Sequence, residues 1–311
     1  MSHTVGVITN PTSASGRGRR WGHEALAALA GRGHRVRDLT RGSWASAFEA
    51  AMKYRHDLDA LIVVGGDGMV HLGVQICAMQ KKLPLGIVAA GSGNDAAMSF
   101  GLPIHDVEAS ADRIHEGLAG DVSTVDLGKV TGSSIEVPGD PRYFVAVLSA
   151  GVDAAVAAYG SNLTWPRGPM KYTFATFREI PRFKPYGVKV ESAAFTKEAP
   201  FTLVAVANTP VFGGGLVISP ESQVNDGWLE LCVAENIGRA GIAKIFPKLK
   251  DGSHVSDPRV TIVKVKEVTI SQSPLGAKLP AAFADGELVG ADPFKVTVAP
   301  QALRVLGARL P

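Results

Sequence analysis

Five apolar residues, Ala60-Leu61-Ile62-Val63-Val64, end abruptly in Gly65-Gly66-Asp67-Gly68, and a helix-like run over 69–82 follows. A β-branched run, a glycine turn and a helical pattern in that order predict a strand whose carboxyl end leads straight into a helix N-terminus. Glycines there let backbone N–H groups converge on an anion with no Cβ in the way. The free N–H groups of the first helical turn add a favourable dipole. Phosphate is the expected guest. A carboxylate among phosphates is unfavourable unless a divalent cation or a hydroxyl donor lies between them, so Asp67 points to phosphoryl transfer rather than to phosphate binding alone. The same four residues also suit a tight turn whose Asp caps the helix.

The neighbouring sequence repeats the arrangement. Residues 5–9 precede a helical pattern over 17–31, 34–38 precede 43–54, and 85–89 precede 95–100. Such alternation predicts βαβ units on a parallel sheet with ligand loops at the carboxyl ends of the strands. Three loops, 10–18, 65–68 and 90–94, are therefore expected on one edge. After Asp126 the texture becomes β-rich, with runs at 142–149, 188–192, 201–207, 228–234, 259–265, 267–271 and 295–298. Short strands with turn signals predict an antiparallel sandwich or barrel. Two stretches, 165–186 and 238–251, read as helical insertions.

A chain of 311 residues, 46% hydrophobic and 20% charged, exceeds one ordinary domain and suggests two. The expected division is 1–127, with 300–311 a candidate to complete it, and 128–299. Cys77 and Cys232 stand far apart in apolar runs without metal-ligand or CxxC spacing, which fits buried thiols in a reducing compartment. The first ten residues lack a basic segment followed by an apolar one, and no run of about 18 apolar residues occurs, so a soluble cytoplasmic protein is expected. A formal charge of +3 favours anionic partners only weakly, and no Arg/aromatic motif points to nucleic acid.

Two further loops join the first. Asn10-Pro11-Thr12-Ser13-Ala14-Ser15-Gly16 follows a strand and precedes Arg17, Arg19 and Arg20, a mixture of hydroxyl and guanidinium groups that suits polyphosphate. Gly91-Ser92-Gly93-Asn94-Asp95 repeats the strand, glycine, helix order at the next strand. Together with PLGIVAAGSGND over 84–95, VDLG at 125, GGGLVISP over 213–220, NDGWLEL over 225–231, GSHV at 252 and ADGE over 284–287, these motifs resemble in order and spacing the diacylglycerol kinase catalytic-domain family, to which sphingosine kinases are related.

The resemblance implies an α/β ATP-binding domain, of the kind NAD kinases and phosphofructokinases carry, followed by an all-β sandwich-like domain that takes a lipid. It implies transfer of the γ-phosphoryl group of ATP to diacylglycerol, giving phosphatidic acid, at a membrane surface. Carried over by position, it places Asn10, Pro11, Thr12, Ser13, Ala14, Thr40, Gly65, Gly66, Asp67, Gly68, Met69, Val70, His71, Ser92, Gly93 and Asn94 around the nucleotide. It makes Glu287 the proton acceptor, with Asp67 a rival base and Asp285 a neighbour that could orient Glu287. Magnesium is expected at Gln223, Asp226 and the Trp228 carbonyl, although Gln223 brings a neutral amide and the Asn225-Asp226-Gly227 stretch also reads as a plain hairpin turn. Ala-Asp-Gly-Glu has that plain reading too.

Met69, Leu72 and Met98 replace residues usual in the family, which alters the expected nucleotide contacts without touching Asp67, Ser92 or Glu287. Residues 165–185 carry Arg167, Lys171, Arg178, Arg182 and Lys184 interleaved with Trp165, Met170, Tyr172, Phe174 and Phe177, the composition of a peripheral membrane contact and equally of a helix with a solvated basic face. A homodimer is among the arrangements expected. The competing functions are a kinase of a sphingosine-like lipid or another acylglycerol, an NAD kinase or phosphofructokinase relative, and a non-catalytic nucleotide- or lipid-binding regulator.

Overall fold

The computed structural model describes residues 2–11, 16–80, 82–134, 142–163 and 170–310. The chain forms two compact units, one comprising Met1–Asp126 with Gln301–Pro311 and the other Leu127–Pro300.

Unit 1 runs β1 (Thr4–Thr9), α1 (Gly18–Gly31), β2 (Arg35–Asp38), α2 (Trp44–Tyr54), β3 (Ala60–Gly65), α3 (Asp67–Ala78), β4 (Leu85–Ala89), α4 (Asp95–Ser99) and α5 (Val107–Leu118). Two strands, β5 (Val122–Thr131) and the last, β17 (Phe294–Leu306), carry the chain across the boundary between units. In unit 1 the strands β2-β1-β3-β4-β17 lie in that order as parallel neighbours, and β5 also pairs with β17. The order departs from β1 in both directions, so the carboxyl ends of β1 and β3 flank the switch point where open α/β sheets bind ligands. Helices cover the sheet, which is why β3 and β4 are apolar throughout rather than alternating. Val5, Val7, Ile62 and Val88 pack against Trp21 and Leu29 of α1 and Val107 and Ile114 of α5.

Two details differ from the sequence reading. Helix α3 begins at Asp67 instead of Met69, because Gly66 is its N-cap and the Asp67 carboxylate sits in the first turn, where it complements the dipole. Helix α5 was not anticipated. Its start is fixed by Asp106, whose side chain accepts from the Ala109 N–H at 3.0 Å, and Val107, Ala111 and Ile114 form its buried stripe.

Unit 2 contains β6 (Arg142–Phe144), β7 (Val147–Ser149), α6 (Val152–Asn162), α7 (Met170–Glu179), β8 (Tyr186–Glu191), β9 (Thr196–Ala207), β10 (Val211–Phe212) and β11 (Leu216–Val217). It continues through β12 (Leu229–Glu235), α8 (Arg239–Ile245), β13 (Val260–Val265), β14 (Glu267–Gln272), β15 (Ala282–Ala284) and β16 (Glu287–Gly290). The paired strands of this unit are antiparallel. The spine is β9: its first half pairs with β8, and its second half pairs with both β7 and β12. Phe144, Phe201, Val204, Leu231, Ile270 and Phe294 fill the core that these strands enclose.

The single run expected over 142–149 is broken into β6 and β7. Helix α6 lay outside the expected elements. The insertion expected over 165–186 contains α7 and a short 3-10 turn, Ile180–Arg182, while its residues 165–169, Trp165 and Arg167 included, lie outside the described residues. The turn at 225–227 does not close a hairpin with the residues around Ile218: β11 pairs with β10, and β12 pairs with β9 and β13.

Gly128 of β5 lies opposite Phe144 of β6, and a methyl group added there would come within 2.0 Å of the phenyl ring. Gly128→Ala should destabilise the protein by about 1–3 kcal/mol through overpacking, read as a lowered Tm. An unchanged Tm would mean that the ring has room to move.

Candidate active site

In unit 1 the loops after β3 and β4 meet backbone to backbone. A Cβ on Gly91 would lie 2.3 Å from the Gly66 Cα, and one on Gly66 would lie 2.9 Å from the Gly91 Cα. Neither position has space for a side chain. A Cβ on Gly93 would meet a carboxylate oxygen of Asp67 at 2.6 Å. That carboxylate spans the two loops, because Asp67 Oδ2 accepts the Asn94 N–H at 2.8 Å. Asn94 adopts the left-handed conformation, φ 63°, and ties its own loop closed: its Oδ1 accepts the Gly91 N–H at 2.8 Å and its Nδ2 donates to the Gly91 carbonyl at 3.0 Å. Asparagine tolerates that conformation while offering both a donor and an acceptor, which explains the residue chosen.

The loop after β1 joins this edge. The Asn10 N–H donates to the Val64 carbonyl at 3.1 Å, and the Thr9 N–H donates to Thr40 Oγ1 at 3.1 Å. Asn10, Pro11, Thr40, Gly65, Gly66, Asp67, Gly68 and Met69 thus cluster at the strand ends beside Ser92, Gly93 and Asn94. Ser92 is exposed, whereas Val70 and His71 are buried inside α3 and present no side-chain surface. Thr12, Ser13 and Ala14 lie outside the described residues. What this edge offers chemically is an anion cradle: glycine backbone at two strand ends, a helix N-terminus at Asp67 and a serine hydroxyl facing solvent.

One contributor escaped the sequence reading. His105 Nε2 donates to the Gly91 carbonyl at 2.7 Å, and its ring stacks on Trp21 with centroids 5.5 Å apart, while the Arg17 guanidinium stands 5.3 Å from the Trp21 ring. Nothing in the sequence near His105 signals this, since the ring reaches back over α4 to the loop after β4 and stacks on Trp21 of α1, from another βα unit.

In unit 2, Asp285 and Gly286 form the two-residue turn between β15 and β16, with φ 53° and 86°. Positive φ at both positions is the geometry of a primed hairpin turn, for which Asp-Gly is a favoured pair. The hairpin reading of Ala-Asp-Gly-Glu is therefore correct as geometry. It also delivers Glu287 to an exposed position at the head of β16. The Asp285 carboxylate accepts the Val145 N–H at 3.0 Å and the Ala146 N–H at 2.9 Å, which fastens the hairpin to the bend between β6 and β7. Asn208 holds the other side of that bend, its Nδ2 donating to the Val145 carbonyl at 2.8 Å.

The expected cation turn has a different occupant. Asp226 Oδ1 accepts the Trp228 N–H at 3.0 Å, and Asp226 Oδ2 pairs with Lys264 Nζ at 2.5 Å. Gln223 is exposed, and Trp228 carries the Lys266 ammonium over its ring at 4.8 Å. An ammonium on the one carboxylate and a neutral amide do not fit a hard divalent ion. Among the described residues, no group of three or more His, Cys, Asp or Glu side chains is arranged to hold a metal.

Asp153, in the first turn of α6 beside Ser149, buries both carboxylate oxygens. Desolvation pushes its carboxyl up to about 6, and although Ser149 and the Ala154 N–H lie close enough to oppose that shift, neither carboxylate oxygen has a hydrogen-bond partner among the described residues. The two cysteines are free and buried, and burial pushes both thiols upward, Cys232 to about 12.

Comparison with known proteins agrees with this architecture. Residues 4–130 match the diacylglycerol kinase catalytic domain, and residues 146–307 match the YegS C-terminal NAD kinase beta sandwich-like domain. A diacylglycerol kinase of Mycobacterium tuberculosis (strain ATCC 25618 / H37Rv) is 32% identical over 313 residues, covering 99% of this chain and 97% of the relative. One of Staphylococcus epidermidis (strain ATCC 12228 / FDA PCI 1200) is 29% identical over 298 residues, covering 91% of this chain and 89% of the relative. A crystal structure of a diacylglycerol kinase from Bacillus anthracis str. Sterne shares the fold with a TM-score of 0.69 at 17% identity, covering 98% and 96% of the two chains. The chain belongs to the diacylglycerol kinase family and is a phosphotransferase of the lipid kinase class. Among the described residues, no helix is long and apolar enough to cross a membrane.

Two outcomes are expected. Gly91→Ala pushes the β3 and β4 loops apart and should weaken nucleotide binding about tenfold or more, equivalent to ~1.4 kcal/mol, in an equilibrium titration. Asp153 releases its proton less readily folded than unfolded, so its contribution favours the folded state at low pH and falls away as pH rises from about 4 to about 6. Asp153→Asn should therefore raise Tm at pH 8, by the equivalent of up to ~3 kcal/mol, and the gain should shrink towards pH 4.

Proposed function

We propose that this protein transfers the γ-phosphoryl group of ATP to the free hydroxyl of diacylglycerol, giving phosphatidic acid and ADP. The observation that carries the reading is the contact of Gly66 with Gly91 at the switch point of unit 1, with Asp67 tying the two loops together. It brings the backbone of two adjacent strand ends and the N-terminus of α3 to one edge, the arrangement that suits a phosphate chain. Relatives named diacylglycerol kinase over nearly the whole chain supply the acceptor class.

The acceptor oxygen forms a bond to the γ-phosphorus as the bond from that phosphorus to the bridging oxygen breaks, and ADP leaves. The hydroxyl must lose its proton as the new bond forms, and Glu287 is the group assigned to accept it. Its exposure on a hairpin anchored by Asp285 suits that role: the base is accessible while its turn is fixed through two backbone N–H groups. Asp285 is thus a positioning residue. Asn10, Pro11, Thr40, Gly65 to Met69 and Ser92 to Asn94 are assigned to the nucleotide, as are Thr12, Ser13 and Ala14 on the family resemblance alone.

The acceptor is presented at a lipid surface. Phe174, Arg178, Arg182 and Lys184 are exposed in and just after α7, which suits an interface that pairs an aromatic anchor with positive charge, and a peripheral, cytoplasmic-face enzyme follows from that reading.

The test is transfer of label from ATP, with magnesium in the buffer, to dioleoylglycerol, sphingosine, monoacylglycerol and NAD in anionic vesicles. Label on dioleoylglycerol is expected, and Glu287→Gln should lower kcat by about a hundredfold or more with ATP affinity nearly unchanged. Preferential labelling of sphingosine or monoacylglycerol would replace the acceptor. Labelling of NAD alone, or ATP binding without transfer, would overturn the reading. Asp67→Asn should reduce both nucleotide affinity and turnover, because its carboxylate fixes the second loop.

A further inference from the structure

The turn at Asn225-Asp226-Gly227 is built around one carboxylate and one ammonium. Gly227 takes φ 77°, the chain reverses, and Asp226 Oδ1 receives the Trp228 N–H at 3.0 Å. That leaves Oδ2 for Lys264 Nζ, 2.5 Å away. The lysine is delivered by the sheet. In the antiparallel β12–β13 pair Lys264 stands directly opposite Glu230, so its side chain rises beside both acids. Glu230 is 2% exposed, its Oε2 accepts the Ser222 hydroxyl at 2.7 Å, and its Oε1 lies 4.0 Å from Lys264 Nζ with no hydrogen bond of its own. Glu221 adds a third negative charge nearby. The cluster therefore needs a cation, and the chain brings one.

We propose that the Lys264 ammonium is the resident cation of the Asp226 turn, in the place where the family resemblance leads one to expect a divalent ion, so that this unit needs no metal there. A divalent ion at Asp226 Oδ2 would have to displace the ammonium of a lysine whose backbone the β12–β13 register already places opposite the cluster, so that only the side chain is ordered when the pair forms. Magnesium in particular binds at about 2.0–2.1 Å and gives up water reluctantly, so an occupied carboxylate and a neutral Gln223 are poor competitors for its hydration shell. An exposed ion pair would contribute little. Here the lysine is half exposed but Asp226 is mostly covered and Glu230 is buried, so removing the ammonium takes the nearest counter-charge from two carboxylates that water reaches poorly. The inference concerns the fold of unit 2 and is independent of which lipid accepts the phosphoryl group.

The experiment uses the full chain without nucleotide. Manganese(II) is titrated into the parent protein and into Asp226→Asn, with free ion followed by electron paramagnetic resonance, and Tm is recorded for the parent, Lys264→Met and Lys264→Arg. The expected result is that parent and Asp226→Asn bind manganese alike. Lys264→Met, which keeps the aliphatic stem without the charge, should lose about 3 °C or more in Tm, and Lys264→Arg should retain most of it. A manganese site present in the parent and lost in Asp226→Asn would overturn the proposal, as would an unchanged Tm in Lys264→Met. If Lys264→Met does not fold, the comparison of parent with Asp226→Asn still decides.

Discussion

Two peptide backbones in van der Waals contact, Gly66 against Gly91, set the position of everything on the ligand edge of unit 1. Parallel strands about 4.8 Å apart bring their following loops close, but a Cβ on either residue would hold them apart. With none, the Asp67 carboxylate can reach the Asn94 amide, and Asn94 can fold its own loop around Gly91. Charge, dipole and backbone donors then converge on one point. The main-chain path does much of this, as in other anion sites built on glycine loops and helix N-termini.

Unit 2 solves a different problem. Its exposed candidate base sits on a two-residue turn, an element with little packing of its own. Asp285 compensates by accepting two successive backbone N–H groups from the bend between β6 and β7, and Asn208 secures that bend from the other side. Both side chains bond to main chain, which fixes their orientation against partners that do not move. Asp153 shows the opposite case: a buried acid whose two oxygens lack a hydrogen-bond partner among the described residues, so that desolvation dominates.

Most of the fold class is legible in the sequence because it rests on local pattern. Continuous apolar strands followed by glycine announce buried parallel strands, and short alternating runs announce the β-rich half. Boundaries are less legible. Asp67 belongs to α3 because Gly66 caps the helix, and glycine is an ambiguous signal at that position. Helix α5 carries a plain Asp cap and an apolar stripe, yet Glu108, Asp112, Arg113, His115 and Glu116 weaken the pattern. The contacts that join distant segments are not legible at all. Lys264 meets Asp226 across 38 residues, and His105 reaches Gly91 from a neighbouring loop. A turn motif can announce a carboxylate; only the sheet register says which cation stands beside it.

The hydrogen bond from the Gln301 N–H to Asp126 Oδ1, 2.7 Å long, joins residues 175 positions apart at the two places where the chain leaves unit 1 and returns to it. The second unit is in this sense a long insertion whose ends are stapled together. During synthesis, therefore, β4 must wait with one edge unpaired until Val305 arrives to lie beside Leu85, after the whole of the inserted unit has been made. Early order in unit 1 is provisional, and its completion is timed by the emergence of a distant segment.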